Sequence, residues 1–424
     1  MGTGATDTTR GKRPNAVRAW LAIPLWKRVA GALLGGVLLA LLAPGAAPAF
    51  AFLGDLFVRA IRMLVVPVVL ITVASGIAEL GELRRLGSLG LRTLGLFALT
   101  TGLAVSVGMA VATLLRPGVG APLGTAAPHE LGTPVSRYDQ LVGIVPTNVL
   151  EALVKGDMLA TLFVAILLGV ATLGAGEAGR PVANGLRAAA AVLFRAVAIV
   201  MEATPFGVFA LVANAVAAHG ASVFVHVGWL LLAVLAGSAL QIVLVHAPLL
   251  RLVARLPLLP FAKRIADALL VAFSTASSAA TLPVAMRAAD RLGIARPVYS
   301  TTLPLGASIG KDGTAMYVGL LSIFALQALG VPLTPATYAT VLLTGALAAF
   351  GTAPVPSASL FMLAAVLSAV GVSPEQTALV VGFVLPFDRL LDMTRTVPSA
   401  SANLTVASCV ARMERALDDR WARR

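Results

Sequence analysis

The chain alternates long apolar runs with short polar connections. Between residues 26 and 255 the runs reach the ~20 residues that a helix needs to cross a bilayer. They predict six spans, at about 26–46, 50–78, 87–115, 142–174, 185–217 and 222–255, and the fourth is broken near 145–148.

After residue 260 the pattern changes. Segments 260–292 and 337–371 each consist of an apolar arm, a small and polar centre, and a second short arm. Because no arm reaches the ~20 residues of a full span, each segment is predicted to be a re-entrant helical hairpin. Basic flanks place the ends of the first in the cytoplasm, and uncharged flanks place those of the second outside. Two further spans, about 297–328 and 376–410, carry charges at mid-depth.

The second half therefore reads as two repeats in opposite orientation, each a hairpin followed by an interrupted helix. Irregular backbone at membrane depth persists only where protein or water satisfies its polar groups. Inverted repeats with broken helices place a substrate site near the midplane of the membrane. The predicted fold is an all-α polytopic membrane protein with eight transmembrane helices and two re-entrant hairpins, and the predicted function is secondary transport.

Composition and charge agree with this fold. Hydrophobic residues make up 58% of the 424 residues and charged residues 12%, against about a quarter charged in a soluble chain. The net charge of +13 lies in the N-terminal tail, in alternate connections and in the C-terminal tail. This positive-inside pattern predicts a plasma-membrane (cell inner membrane) protein with both termini in the cytoplasm, and it argues against a nucleic-acid site. The single Cys409 excludes an internal disulfide and a cysteine-based metal cluster.

The last span carries four charges at helical spacing. Inserting each charge at the centre of a membrane helix costs ~2.5–3.5 kcal/mol, so each is expected to have a structural or functional role. For Asp388 and Arg389, an internal ion pair that holds the bundle is kept as an alternative. For Asp392 and Arg395 we favour function, because a guanidinium fork matches a carboxylate and an acid one turn away can accept an ammonium. Together they suit a zwitterion with an extra acid group.

A second pair of charges, Lys311 and Asp312, lies among Gly306, Gly310 and Gly313 in an apolar segment. Consecutive residues on a helix do not face each other, so these two are expected to meet different partners unless the glycines unwind the helix. Unwound backbone in transporters exposes carbonyls to cations and amides to anions.

Five stretches resemble the glutamate transporter family, the sodium/dicarboxylate symporters, over about residues 28–410. They are GDLFVRAIRMLVVP (54–67), IVPTN (144–148), PFGVFAL (205–211), SSAATLPV (277–284) and DMTRT (392–396). The resemblance implies a homotrimer in the lipid bilayer, with a scaffold and a transport domain that moves as an elevator. The implied segments are a tail (1–25), scaffold helices (26–86 and 142–218), a transport helix (87–116), an extracellular loop (117–141) and the remaining transport domain (219–424).

The resemblance also implies the substrate contacts. They fall on Ser277, Ser278, Thr314, Val355, Pro356, Ser357, Ala358, Ser359, Asp392, Arg395, Thr396 and Ser399. In amino-acid carriers of the family, the position of Asp392 holds the substrate's ammonium and that of Arg395 holds its acidic side chain. The expected substrate is therefore aspartate or glutamate. A C4-dicarboxylate is the alternative, because Ser399 stands where the family has an Asn.

The sodium sites of the family are altered in this chain. The degenerate positions are Thr100, Thr101, Gly306, Gly310, Asp312, Ser399 and Asn403, and Phe97 replaces a common Tyr. Where the family reads Asn-Met-Asp-Gly-Thr, this chain has Gly310-Lys311-Asp312-Gly313-Thr314. We therefore expect a carrier that needs no sodium and no other cofactor. Lys311 would act either as a built-in cation or as a proton carrier; a structural bridge from Lys311 to Asp312 or Asp392, and a sodium symporter that keeps a site at Asp312, are the alternatives.

An enzyme and a channel are the two other classes of protein to compare with a transporter. The chain has no HExxH, no Gly-x-Ser-Gly and no cysteine metal set, and its histidines are isolated, at His129, His219, His226 and His246. A lone membrane histidine is expected to be a packed or interfacial residue, so an enzyme is not predicted. A channel is the second rival, and saturable, stereoselective uptake would exclude it.

Overall fold

The computed structural model describes residues 20, 23, 25–85, 87–121, 123, 145–155, 158–220, 222–352 and 358–422, and these are almost entirely helical. Within these residues, the extended pairing is a single bridge between Ile294 and Leu417. The predicted all-α class is confirmed.

The first part of the chain forms helices that pack mainly on one another. Their bounds are α1 (Leu25–Leu42), α2 (Ala51–Arg85), α3 (Ser88–Leu115), α4 (Val149–Lys155), α5 (Met158–Gly174), α6 (Arg180–Met201) and α7 (Thr204–His219). Helix α1 packs on α7, and α2 packs on α5, α6 and α7, whereas α3 packs against the second half.

The fifth predicted span, 185–217, is wrong as a single helix. Helix α6 ends at Met201 and α7 begins at Thr204, with Pro205 in its first turn. Proline fits the first turn of a helix because the backbone N–H it lacks would have no partner there. The Thr-Pro pair therefore starts a new helix inside an apolar run.

The second half contains paired short helices and interrupted long ones. Their bounds are α8 (Ser222–Gln241, continued by π-helical turns at Ile242–His246 and Leu250–Ala254), α9 (Leu258–Thr275), α10 (Ser278–Arg291), α11 (Arg296–Ile309), α12 (Asp312–Ala328), α13 (Pro335–Phe350), α14 (Ala358–Ala369), α15 (Pro374–Val384) and α16 (Asp388–Met413). Helix α9 packs on α10, and α13 packs on α14. The last predicted span, 376–410, is divided into α15 and α16 by a turn that contains Pro386.

The surface is apolar, as lipid-facing surfaces are. Among the described residues, three helices are long and apolar enough to cross a membrane: Ser88–Leu115, Gly176–Met201 and Phe224–Ala254. Shorter apolar helices accompany them, and large apolar side chains such as Leu34, Leu42 and Leu56 are exposed. Exposed apolar surface of this extent indicates contact with lipid or with another subunit. The protein is an integral membrane protein.

Helices α12 and α16 form the centre of the second half. From Asp312 to Leu326 every residue of α12 is buried. This helix packs against α3, α8, α13, α14 and α16. A helix that is buried on all sides should be apolar all round. The charged residues at the start of α12 and on α16 therefore lie in the core, where each one needs a partner.

Candidate substrate and coupling site

The site is built where α11 and α12 are interrupted beside α16. Gly310 and Lys311 leave the helical conformation, with ψ of 71° and 43°. On the far side of the break, a Cβ on Gly313 would overlap the carbonyl oxygen of Arg395, so only glycine lets the helices approach this closely. The backbone N–H of Gly313 donates to Ser399 Oγ at 3.0 Å. The break therefore lies directly against the polar face of α16.

A buried charge pair lies on this face. Asp392 Oδ1 accepts from Arg395 Nη2 at 2.7 Å, and both side chains are 4% exposed. Arg395 Nη1 donates to Thr314 Oγ1 at 2.8 Å, and its guanidinium lies 4.9 Å from the centre of the Tyr317 ring. The remaining donor, Nε, has no hydrogen-bond partner among the described residues. The guanidinium is thus held at both Nη atoms, and its Nε–H is left for a ligand.

Asp388 and Arg389, one turn earlier, form no ion pair with each other in the part of the chain that the structure describes. Asp388 Oδ1 accepts from the Tyr317 hydroxyl at 2.9 Å. Arg389 points instead to the first hairpin, with Nη2 at 3.5 Å from the carbonyl oxygen of Thr275. Asp388 therefore acts on the site indirectly, because it holds the ring over which Arg395 lies.

Asp312 is fully buried and turned away from Arg395. Its Oδ1 accepts from Thr100 Oγ1 at 2.9 Å, with Thr101 Oγ1 at 3.5 Å. Its Oδ2 accepts from Gln241 Nε2 and lies at the same 3.1 Å from His246 Nε2. The other ring nitrogen of that histidine lies 3.1 Å from Ser401 Oγ. Both oxygens of Asp312 are thus occupied by side chains of α3 and α8.

Lys311 is 3% exposed. Within the described residues its ammonium forms no hydrogen bond and no ion pair, so the predicted structural bridge to Asp312 or Asp392 is not observed. Asp392 attracts it and Arg395 repels it. An unpaired buried ammonium is costly unless a ligand or a second charge compensates it. Lys311 and Arg395 together make this part of the core positive.

The positions expected to be degenerate sodium sites are filled by donors. The amide nitrogen of Asn403 donates to the carbonyl oxygens of Gly306 and Gly310, both at 3.2 Å; the opposite orientation would set its oxygen against two acceptors. The Phe97 ring closes the same space from α3. A sodium ion needs oxygen lone pairs directed at it. In the observed arrangement these residues form no open cage of oxygen ligands, because hydrogen-bond donors point at the carbonyl oxygens of Gly306 and Gly310 and at both oxygens of Asp312.

The hairpin residues lie beside this core to different extents. Ser277 is the N-cap of α10, and its Oγ accepts from the backbone N–H of Ala280 at 3.3 Å. Ser278 is buried and lines a cavity of about 10 Å³ with Asn403. Ser359 is buried, and its hydroxyl has no hydrogen-bond partner among the described residues. Thr396 Oγ1 donates to the carbonyl oxygen of Asp392 at 2.7 Å. Ala358 begins α14, and Val355, Pro356 and Ser357 lie outside the described residues.

A model of the sodium:dicarboxylate symporter family matches residues 25–413. The chain belongs to this family. It is similar to a proton/glutamate-aspartate symporter of Bacillus subtilis, with 35% identity over 86% of this chain and 88% of that protein. A C4-dicarboxylate transport protein of Anaeromyxobacter sp. is 33% identical over 95% of this chain and 92% of its own. A proton/sodium-glutamate symport protein of Geobacillus stearothermophilus is 31% identical over 85% and 87%. The protein is a transporter and not an enzyme.

Several of the contacts in the core of this transporter were not predicted from the sequence. They are those of Tyr317 with Asp388 and Arg395, and those of Gln241 and His246 with Asp312. A signal existed for Tyr317, which follows Thr314 by one helical turn and so shares its face. Gln241 is a polar residue inside an apolar span, which marks a buried contact. His246 is packed as expected, but its contact with Asp312 joins two distant helices.

Proposed function

We propose that this symporter-family chain carries an acidic amino acid, L-aspartate or L-glutamate, across the plasma membrane without sodium. The observation that carries the proposal is the buried Asp392–Arg395 pair next to Lys311, whose ammonium pairs with none of the described residues. A fixed guanidinium, an ammonium and a carboxylate within one buried site offer complementary partners for a zwitterion with a second acid group.

A charge count favours the amino acid. Asp312 accepts hydrogen bonds from side chains of α3 and α8, so it is not counted among the groups that face the substrate. The remaining charged groups are Lys311, Arg395 and Asp392, and their charges sum to +1 if all three are charged. An acidic amino acid carries −1, so the occupied site would be neutral without a bound cation. A C4-dicarboxylate carries −2 and would leave the buried site with an uncompensated charge, which is costly.

In the proposed complex, each group has one task. Arg395, already fixed by Thr314 and Tyr317, would turn its free Nε toward the substrate's side-chain carboxylate. Asp392 would accept the substrate's ammonium, and Lys311 would face its α-carboxylate. The hairpin tips, with Ser277, Ser278 and the segment that includes Ser359, would close the site from both sides. The hydroxyl of Ser359, which has no partner among the described residues, is the donor available for this purpose.

The proposed movement is an elevator. Helices α1, α2 and α4–α7 would form the scaffold, and α3 with α8–α16 the transport domain; most of the close packing lies within each of these groups. The pairs α9–α10 and α13–α14 would be the re-entrant hairpins of the predicted topology, with both termini in the cytoplasm. The apolar residues exposed on α1 and α2 suit lipid and the subunit contacts of a homotrimer.

One alternative has observations in its favour, and a second would require the contacts of Asp312 to rearrange. A C4-dicarboxylate carrier is favoured by the similarity to the C4-dicarboxylate transport protein of Anaeromyxobacter. It is also favoured by Ser399, whose Oγ is occupied by the Gly313 amide. A sodium-coupled symporter that keeps a site at Asp312 would need the donors from Thr100, Gln241 and His246 to turn away from the carboxylate.

Uptake into proteoliposomes tests the proposal. Labelled L-aspartate is offered with sodium rigorously absent, and then with an inward sodium gradient at equal ionic strength. We expect equal, saturable uptake in both, with inhibition by L-glutamate and weaker inhibition by succinate. Uptake only with sodium would contradict sodium independence, and stronger inhibition by succinate than by L-glutamate would favour the dicarboxylate alternative.

A further inference from the structure

One face of α16 satisfies both ends of the broken helix. Helix ends leave N–H groups at the start and carbonyl groups at the finish without intrahelical partners. Ser399 accepts from the Gly313 N–H at the start of α12. Asn403, one turn later on the same face, donates to the carbonyl oxygens of Gly306 and Gly310 at the end of α11, and the Gly306 carbonyl also accepts from the Gly310 N–H at 2.9 Å. The two side chains thus match the polarity of the two helix ends.

The space at Asn403 is closed. A Cβ on Gly306 or on Gly310 would collide both with the Asn403 side chain and with the Phe97 ring. Asn403 itself is 6% exposed. The two carbonyl oxygens therefore have one neighbour that can reach both of them among the described residues, and that neighbour offers N–H groups and no charge.

We propose that Asn403 is the residue that frees substrate binding from sodium, because its amide N–H groups stand where a cation would otherwise compensate the two carbonyl oxygens. An aspartate has the same shape but no N–H. At this position it would set a carboxylate against two carbonyl oxygens, a negative cluster of oxygen ligands that suits a hard cation. The inference rests on the proposed sodium-independent carriage and names the residue that determines it.

Replacing the Asn403 amide by a carboxylate with a bound cation would also affect the substrate site. Gly310 directly precedes Lys311, and Gly313 packs against the backbone of Arg395. A shift of the α11 end would move Lys311 and, through α12, Thr314, which holds the guanidinium of Arg395. Binding of sodium beside residue 403 is therefore expected to change the affinity for aspartate.

The test compares purified full-length wild type with Asn403→Asp, in NaCl and in choline chloride at equal concentration. Isothermal titration gives the Kd for L-aspartate, and thermal unfolding without substrate reports sodium binding directly. We expect wild type to give equal Kd and Tm in both salts. In Asn403→Asp, sodium should raise the substrate-free Tm and strengthen aspartate binding by about 5- to 150-fold, the usual range of coupling between two sites.

Asn214→Asp is the matched control. Asn214 lies on α7, and its amide also donates to two backbone carbonyls, those of Ala47 and Ala210, at 3.1 and 2.8 Å. This variant measures the general cost of a carboxylate against carbonyl oxygens. It should lower the Tm but leave the Kd for aspartate equal in both salts, since α7 does not touch the break.

The outcomes separate the inference from the proposed function. If sodium changes neither the Kd nor the Tm of wild type and of Asn403→Asp, the inference is overturned and sodium-independent transport is still supported. Wild type that binds aspartate only with sodium would overturn both. Wild type that binds no aspartate would overturn the proposed substrate, and the substrate-free Tm would still decide the role of Asn403. If Asn403→Asp cannot be purified in either salt, Asn403→Ala decides: a wild-type Tm would overturn the inference, and a lower Tm would support it.

Discussion

At the residue scale, Arg395 makes the contacts that hold the candidate site together. It contacts Asp392, Thr314 and the Tyr317 ring, and these contacts come from two helices. Helical spacing predicted the partner on its own helix, because residues one turn apart share a face. Spacing places Tyr317 on the same face of α12 as Thr314, but it does not show that this face meets Arg395, since contacts between helices depend on how the helices pack.

Replacing Asp392 by Asn should change which substrate is preferred. The variant removes the acceptor proposed for the ammonium and leaves Lys311 and Arg395 to face two carboxylates. Loss of one partner of a buried charge pair costs about 2 kcal/mol or more, so we expect aspartate to bind ~30-fold more weakly. Succinate should gain relative to aspartate in competition for uptake, which is the measurement.

Asp388→Asn is its matched control. Asp388 is also buried on α16, but its contact is the Tyr317 hydroxyl. It should change stability and leave the ratio of aspartate to succinate inhibition near that of wild type. An unchanged ratio in Asp392→Asn would show that Asp392 does not receive the substrate's ammonium.

Replacing Lys311 by Met separates its two proposed roles. If Lys311 carries a proton, uptake of aspartate by wild type should depend on pH, and the variant should lose that dependence while it still binds substrate. If Lys311 is a permanent cation, the variant should bind aspartate weakly at every pH, because the site loses one positive charge. Kd and uptake measured from pH 5 to pH 9 distinguish the two. Lys263→Met, at an exposed position on α9, is the control; pH dependence retained in Lys311→Met would exclude the proton role.

At the element scale, the breaks show what local sequence can and cannot predict. The break at Gly310 was predicted, because glycines and charges interrupt an apolar run. The break between Met201 and Thr204 was missed, although Pro205 marks a helix start, because the apolar pattern continues through it. Hydrophobic periodicity reports which residues are buried, whereas helix ends are decided by caps and prolines.

The C-terminal segment is an element that the apolar pattern did not predict. After α16, Leu417 pairs with Ile294, and the Trp421 indole donates to the carbonyl oxygen of Leu292 at 2.7 Å. The Arg264 guanidinium lies 4.5 Å from the Trp421 ring centre. Residues 414–422 thus connect the open end of the α9–α10 pair to the C-terminal end of α16.

Replacing Trp421 by Ala should loosen that connection. The lost cation–π contact and hydrogen bond are each worth about 1 kcal/mol. We expect the backbone amides of Ala295 and Asp418, which bridge the two segments, to exchange with solvent about tenfold faster. Hydrogen exchange measured by mass spectrometry checks this. Trp229→Ala, at an exposed position on α8, should leave both amides unchanged, and equal exchange in wild type and Trp421→Ala would contradict the role of the segment.

At the scale of the whole molecule, the two groups of helices meet across a loosely filled boundary. A cavity of about 220 Å³ lies between them, lined by Thr72 and Gly76 of α2, Arg187 of α6, and Phe350 and Thr352 at the end of α13. The cavity is a crevice that is partly open to the outside, so the two groups of helices are not in continuous contact there. A boundary with spare volume suits surfaces that slide, whereas the closely packed α12 and α16 suit a body that moves as one.

A cross-link across this boundary tests the elevator. A Cβ on Gly351 would lie 3.1 Å from the Cβ of Val73 on α2, so a small shift reaches the ~3.5–4.5 Å of a disulfide. Val73→Cys with Gly351→Cys should stop aspartate uptake when oxidised and recover it when reduced, while aspartate still binds. Cys409 is fully buried, so oxidation acts on the introduced pair. Gly54→Cys with Ala210→Cys, where the Cβ atoms would lie 3.7 Å apart within the proposed scaffold, is the control and should transport in both states. Because an elevator must move the second hairpin past α2, full uptake by the oxidised first pair would contradict the elevator.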